Sequence, residues 1–433
     1  MLAGLTLYFV LFRSIQYLLV FLTPVRQFDT STALLLNELC SSPTEINSYW
    51  NKYFWNKLLA WDAVFFIKNM TSRNGKPQFE HEYAFSQLWS SLVRLVTKSN
   101  SENIYYVLKV AVAMENVLFY LSGIVLYFLT KKTFSHSKKQ SQFSESIARK
   151  TSLLFFLTSA AGFLTSIYSE PLSFFLAFIG ILSRESSISI PVSGQFDCPW
   201  RYWFSYSFIS MICFTLASLN RSNCILLGIY FVFDLIELTK NRRLVKAICF
   251  PLLSGLLMLS ALIYQQYYLP YRTFCPQRGE WCKSQLFPNL FITTTSLYSY
   301  IQGHYWEVGF LKYWTLNNLP NFLLAVPNII ILVYSSMYFS KIYPSYNLKP
   351  LVWITRVLVV TVCIFAHVQI LNRIASFIPL HLWYLADRLV KTSDPKQMEN
   401  PKGDDKIVKF YIYWLAFWIP LQTVLFAAFL PPA

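Results

Sequence analysis

WDAVFFIKNMTSRNGKPQFEHEYAF, residues 61–85, sets Asp62, Glu80, His81 and Glu82 in a polar interval between two hydrophobic segments of membrane-spanning length. An acid-bearing stretch between two such segments is a loop at a membrane face, so the chain crosses a bilayer more than once. Asp62 is flanked by Trp61, Phe65 and Phe66, a boundary setting in which burial tunes the basicity of a carboxylate. The same spacing equally suits an aspartate that caps an interfacial helix.

Composition agrees. Of 433 residues, 55% are hydrophobic, 18% aromatic and only 13% charged, which is too apolar for a soluble chain of this length. The net charge of +16 would otherwise suggest nucleic acid, but 13 Trp, 28 Tyr and 38 Phe among long apolar runs fit aromatic belts at lipid interfaces, and no nucleic-acid partner is expected. The apolar start at residues 2–12, interrupted by Arg13 and followed by no small-residue cleavage site, reads as an uncleaved signal anchor.

Basic clusters at 131–139 (KKTFSHSKK), 240–246 (KNRRLVK) and within 391–409 set the orientation, and all three are expected on the cytosolic side. Between them lie about eleven candidate spans, near 3–23, 104–129, 151–168, 171–183, 202–219, 223–237, 247–265, 318–339, 351–371, 374–390 and 410–430. Those at 171–183 and 223–237 are short enough to be re-entrant. The large loops 24–103 and 266–317 then face the lumen, with amphipathic helices expected over 45–60 and 84–98. Sequons at Asn69-Met70-Thr71 and Asn220-Arg221-Ser222 suit that side and predict a glycoprotein. Cys275 and Cys282 are close enough in sequence for a disulfide in an oxidising compartment. The architecture is one all-α polytopic membrane domain over residues 1–433, with 391–409 as a cytosolic loop.

No nucleotide-binding fingerprint or zinc ligand set is present in the sequence. Glu80, His81 and Glu82 have the chemistry of a cation site, but consecutive side chains diverge and no second cluster completes one, so no metal is expected. Glu170 and Pro171, within SIYSEPLSFF (166–175), place an acid where two hydrophobic runs meet; this is either a cavity-facing group or the first turn of a helix. Arg221, in SLNRSNC (218–224), and Arg373, in HVQILNRIASF (367–377), lie at membrane edges, suited to a phosphate or to snorkelling toward headgroups. The loop 299–327 is dense in polar aromatics, among them Gln302, His304 and Trp306; such residues stack on sugars, and they equally make an interfacial belt.

Several separated motifs run in order along nearly the whole chain: WDAVFF with HEYAF, SIYSEPLSFF, LNRSN (219–223), YQQYY (264–268), YIQGHYWEVGFLKYW (300–314) with NLPNFLLAVPN (318–328), and QILNRIAS (369–376). Together they resemble the GPI mannosyltransferase 2 family, in a fungal form. The resemblance implies a GT-C glycosyltransferase of the endoplasmic reticulum membrane with its active site in the lumen. It implies transfer of mannose from dolichyl-phosphate-mannose, in α-1,6 linkage, to the GPI-anchor precursor glycolipid. Asp62 matches the family's acid in the first luminal loop. The chain departs from the family after HEYAF, where SQLWS replaces a proline-rich FPL-type run.

The residue chemistry suits such a reaction without a cofactor. A lipid phosphate is already a good leaving group, so a general base is the main requirement, here Asp62, with inversion from a β-linked donor. Glu80, His81, Glu82 and Glu170 are then expected at the acceptor, and Arg221, Gln302, His304, Trp306 and Arg373 at the donor sugar and phosphate. The rival classes are a lipid transporter or scramblase, which favours internal repeats that this sequence lacks, and a non-catalytic subunit, which needs no concentrated acid in the loop. An accessory membrane subunit is left open.

Overall fold

The computed structural model describes residues 2–431 apart from 41, 73–76, 99–102, 136–140, 189–199, 278, 284, 288–291, 342–346 and 394–403. The basic cluster at 131–139 and the loop 391–409 therefore lie partly outside the described residues. Helices dominate; among them, in chain order, are α1 (Leu2–Leu22), α2 (Ala63–Thr71), α3 (Ile104–Phe134), α4 (Glu170–Ser187), α5 (Trp200–Asn220), α6 (Leu319–Lys341), α7 (Lys349–Phe365), α8 (Leu380–Ser393) and α9 (Asp404–Ala427), with further helical pieces between them. Among the described residues the strands form one antiparallel pair, Gln285–Phe287 with Ile292–Thr293, inside the 266–317 loop.

Among the described residues, seven helical stretches are long and apolar enough to cross a membrane: Leu2–Leu22, Ile104–Phe134, Tyr202–Asn220, Ser222–Lys240, Leu244–Phe274, Leu316–Lys341 and Lys406–Ala427. The chain is a multi-pass membrane protein. The stretch 223–237, expected as re-entrant, belongs to a full-length span. Four of the expected eleven spans come out differently. Segment 151–168 ends the helix Ser141–Phe156 and continues into a short turn, Ala161–Thr165. Segment 351–371 yields the 17-residue α7. Segments 171–183 and 374–390 supply α4, of 18 residues with Glu170, Arg184 and Glu185 among them, and α8, of 14, against the roughly 20 predominantly apolar residues that a crossing needs. Phe174, Phe178, Trp383, Tyr384 and Leu385 on these two helices are buried in the central core, and apolar residues enclosed by protein read in sequence like those of a span.

Close helix approach and paired charge hold the bundle. Gly180 on α4 lies where α5 crosses, and a Cβ there would stand 2.5 Å from the Phe214 ring, so the helices meet only because the side chain is a hydrogen. Arg13, which interrupts the first apolar run, is buried in α1, facing Glu115 of α3 at 3.3 Å and donating to Gln16 at 3.0 Å. On α4, Arg184 pairs with Glu185 at 2.7 Å and with Asp234 at 2.5 Å. Each pair removes the penalty of an isolated charge among apolar helices.

The loop 24–103 is fastened at the end of α1. Lys57 is 1% exposed and its Nζ donates to the carbonyls of Val20 at 3.1 Å, Phe21 at 2.9 Å and Thr23 at 2.5 Å, satisfying acceptors that a helix terminus leaves open. The amphipathic helix expected over 45–60 is instead three short turns, Pro43–Ile46, Tyr49–Tyr53 and Trp55–Leu58, with Lys57 in the last of them turned inward. The other expected helix forms as Gln87–Thr97, capped where the Trp89 amide donates to the Ser86 hydroxyl at 3.0 Å.

Candidate active site

Asp62 immediately precedes α2, after Trp61, whose φ of 59° lies in the left-handed region that side chains rarely adopt. Backbone in that state persists only where its surroundings enforce it. Here the Trp61 ring packs against Phe429 at 5.3 Å, and the Asp62 amide donates to the Tyr168 hydroxyl at 3.0 Å. Both contacts fix the start of α2 and hence the carboxylate.

Three segments distant in sequence gather beside that carboxylate. Arg373, from the short helix Leu371–Ile374, donates through Nη1 to Asp62 Oδ2 at 2.8 Å across 311 residues of chain. Its Nε lies 3.1 Å from Oε1 of Glu170, the first residue of α4, and Arg221 Nη2 lies 2.9 Å from the same oxygen. Two carboxylates and two guanidiniums thus alternate along a chain of ion pairs. Arg373 also lies over the rings of Phe163, at 4.9 Å, and Tyr168, at 5.4 Å.

The side chains differ in access: Glu170 is 2% exposed, Arg373 12%, Arg221 14% and Asp62 27%. Burial works to lower the pKa of the Arg373 guanidinium, but Glu170 and Asp62 outweigh it and hold the group charged above its ordinary value. Burial, then the Asp62 charge, pushes the Tyr168 phenol well above its usual range, so it remains a neutral hydrogen-bonding group. Tyr298, in the helix Leu297–Tyr305, is within electrostatic reach of Arg221, Arg373 and Asp62, and burial raises its pKa as well.

Asp62, Glu170, Arg221 and Arg373 therefore meet, and Glu170's expected place changes. Glu170 is almost fully buried, with Arg373 and Arg221 both facing its Oε1. Glu80 and Glu82, also expected at the acceptor, are engaged elsewhere. Glu80 Oε1 accepts from the Trp281 indole at 2.9 Å, and Glu82 faces Lys68 at 3.0 Å while accepting from the amides of Gln78 and Phe79 at 2.7 and 3.1 Å. Both carboxylates are buried, and these contacts hold the loop together. His81 stacks on Phe79 at 5.7 Å and meets Phe65 and Tyr305 edge-on or tilted, with burial lowering its pKa.

The 266–317 loop packs over this side. Cys275 and Cys282 are disulfide-bonded, with Cα atoms 5.7 Å apart. Between them Gly279 has φ of 83° and lies so close to Glu80 and the Trp281 ring that no Cβ fits. His304 is exposed and stacks on Tyr300 at 5.1 Å. Trp306 meets Phe85 at 6.0 Å, and the Gln302 carbonyl accepts from the Val308 amide at 2.8 Å. These contacts run within the loop and to Phe85. Among the described residues no three His, Cys, Asp or Glu side chains converge as a metal set would. Sequence reading passed over Tyr168, Phe163 and Tyr298; Tyr168 stands two residues before Glu170 in a motif already singled out.

Both sequon asparagines are buried. Asn69 is 3% exposed and donates to the Glu82 carbonyl at 3.1 Å. Asn220, also 3% exposed, donates to the Ser169 carbonyl at 2.8 Å and the Ser173 hydroxyl at 2.7 Å, and accepts from Ser86 at 2.5 Å. A glycan on either amide prevents these bonds, so endoglycosidase treatment of the protein purified from a fungal host should leave its mobility unchanged. A shift abolished by Asn69→Gln or Asn220→Gln would contradict the placement of that residue.

The Mannosyltransferase (PIG-V) family matches residues 2–433. GPI mannosyltransferase 2 of Saccharomyces cerevisiae is 84% identical over 433 residues, covering 100% of both chains. The protein of that name from Candida glabrata is 49% identical over 431 residues, covering 99% of this chain and 98% of its own. An oligosaccharyltransferase structure from Archaeoglobus fulgidus superposes with a TM-score of 0.45 and 13% identity over 87% of this chain and 51% of its own, too loosely to argue from.

Proposed function

The chain belongs to the Mannosyltransferase (PIG-V) family and is a mannosyltransferase of GPI-anchor biosynthesis, and we propose that it transfers the second mannose, α-1,6-linked, from dolichyl-phosphate-mannose with Asp62 as general base. Membership in an enzyme family sets aside the transporter and non-catalytic readings. The observation that carries the mechanism is the alternation Asp62, Arg373, Glu170, Arg221: a base beside two guanidiniums matches an acceptor hydroxyl beside a departing phosphate.

In this reading Asp62, the most open of the four, removes the proton from the acceptor 6-hydroxyl as that oxygen attacks the anomeric carbon. Arg373 and Arg221 meet the phosphate on the opposite face and stabilise the charge that grows as the glycosidic bond breaks. The bond forms and breaks on opposite faces, so a β-linked donor gives an α product. Glu170 keeps the two guanidiniums apart and aligned before the lipid arrives. His81 and Tyr298 border the acceptor side, and Gln302, His304 and Trp306 line the approach for the sugar. The donor and acceptor are both lipids, which suits a site at the loop-bearing end of a helical bundle. We place that end in the endoplasmic reticulum lumen and the fold in the GT-C class.

The test is transfer by purified full-length protein supplied with either dolichyl-phosphate-mannose or GDP-mannose and a one-mannose GPI precursor. Product from the dolichyl donor, cleaved by an α-1,6-specific mannosidase, is expected. Transfer from GDP-mannose, or a product resistant to that mannosidase, would refute the donor or the linkage respectively. Transfer by the chain alone would also show that no accessory subunit is obligatory.

A further inference from the structure

Two motifs of the sequence, NLPNFLLAVPN and QILNRIAS, contain asparagines that the chemistry above leaves without a task, Asn328 at the end of the first and Asn372 within the second. They meet in the core. Asn328 Nδ2 donates to Asn372 Oδ1 at 2.7 Å and to the Ser159 hydroxyl at 2.8 Å, while its Oδ1 accepts from the Tyr411 hydroxyl at 2.5 Å. The Ser159 hydroxyl donates onward to the backbone carbonyl of Asn372 at 2.7 Å, and Asn372 Nδ2 donates to the Leu324 carbonyl at 3.2 Å. Asn328 and Asn372 are each 2% exposed, Tyr411 3%.

Asn372 is thus held at its carbonyl and at both ends of its amide, and the next residue is Arg373. From this anchored backbone the Arg373 side chain runs past Phe163 and Tyr168 to Glu170 and Asp62. We propose that Asn328 is a positioning residue for the reaction: through Asn372 it fixes the place of the Arg373 guanidinium and so the affinity for the donor phosphate. The proposal rests on the reading of Arg373 as the donor-phosphate contact. Apolar residues of the same volume hold helices together as well as a buried polar cluster does, whereas a fully satisfied network selects a single arrangement. A displacement of about 1 Å at a charged group costs up to 10²-fold in catalysis, which makes that selection matter here.

The experiment measures initial rates of the purified full-length protein in lipid nanodiscs, varying dolichyl-phosphate-mannose and acceptor separately, with thermal unfolding alongside. The variants are Asn328→Leu, Tyr411→Phe, Arg373→Ala, and each of the first two combined with Arg373→Ala. Tyr411→Phe keeps the ring and removes one hydrogen bond, so it carries the test if Asn328→Leu does not fold. Its donor KM should rise about threefold to tenfold, as loss of one buried hydrogen bond implies, with the acceptor KM unchanged. Asn328→Leu should exceed that. On the Arg373→Ala background neither change should raise the donor KM further, because the group being positioned is gone. An equal rise on both backgrounds, or a lower unfolding temperature with the donor KM intact, would show a merely structural network and overturn the proposal. An unchanged donor KM in Arg373→Ala itself would instead refute the reading of Arg373, and the positioning role with it.

Discussion

Asp62→Asn should lower the turnover of mannose transfer by about 10²–10⁴-fold while the protein still inserts, folds and binds the donor lipid. Asn keeps the shape and can still accept from Arg373 Nη1, the contact that Asp62 Oδ2 makes at 2.8 Å, so the surroundings change little. It cannot take the proton of the acceptor hydroxyl. Asp62→Glu should fail nearly as badly. The backbone at this point is fixed by the strained Trp61 and by the Tyr168 hydroxyl, so an added methylene displaces the carboxylate by more than about 1 Å with nothing free to compensate. Cells carrying either variant should accumulate a GPI precursor with a single mannose. The control is Glu38→Gln, on the exposed side of the helix Ser31–Leu39 in the same loop, where near-normal transfer is expected. A stably expressed Asp62→Asn protein that transfers mannose at close to the normal rate would show that the base is another group.

How much of this was legible in the sequence follows from the range of each interaction. Asp62 stood out because its signal is local: an acid among aromatics between two spans. The pairing of Cys275 with Cys282 was also local, separated by seven positions. The spans of α1, α3 and α9 were legible from length and apolarity. α4 and α8 were not, because burial within the protein and burial in lipid leave the same apolar record over a short run. The role of Glu170 needed Arg221 and Arg373, which approach from 51 and 203 positions away, and no periodicity reports that. The same holds for the stretch 45–60: spacing suggested one amphipathic helix, whereas the structure has three short turns with Lys57 reaching the carbonyl end of α1.

Arg373→Ala should have the second large effect, about 10²–10³-fold in turnover, the loss that follows removal of one preorganised donor to developing negative charge. The donor KM should rise with it, since the ground-state phosphodiester is already charged. Stability should fall too. Glu170 is 2% exposed and is left with Arg221 as its cationic partner among the described residues, and breaking one arm of a buried pair costs about 3–5 kcal/mol. Arg373→Lys separates the two effects. An ammonium restores the charge and part of the stability, but as a point charge on a flexible stem it cannot face Glu170 through Nε and Asp62 through Nη1 at once. Its turnover should therefore stay well below the native value even where its unfolding temperature is close to native. Arg221→Ala should lose less, because Arg221 touches Glu170 and makes no contact with the base. Should Arg373→Lys recover full turnover and native donor KM, charge alone would suffice and the fork geometry would be irrelevant. Should Arg221→Ala prove the more damaging of the two alanine variants, the phosphate would belong at Arg221, with Arg373 serving mainly to hold Asp62 in place.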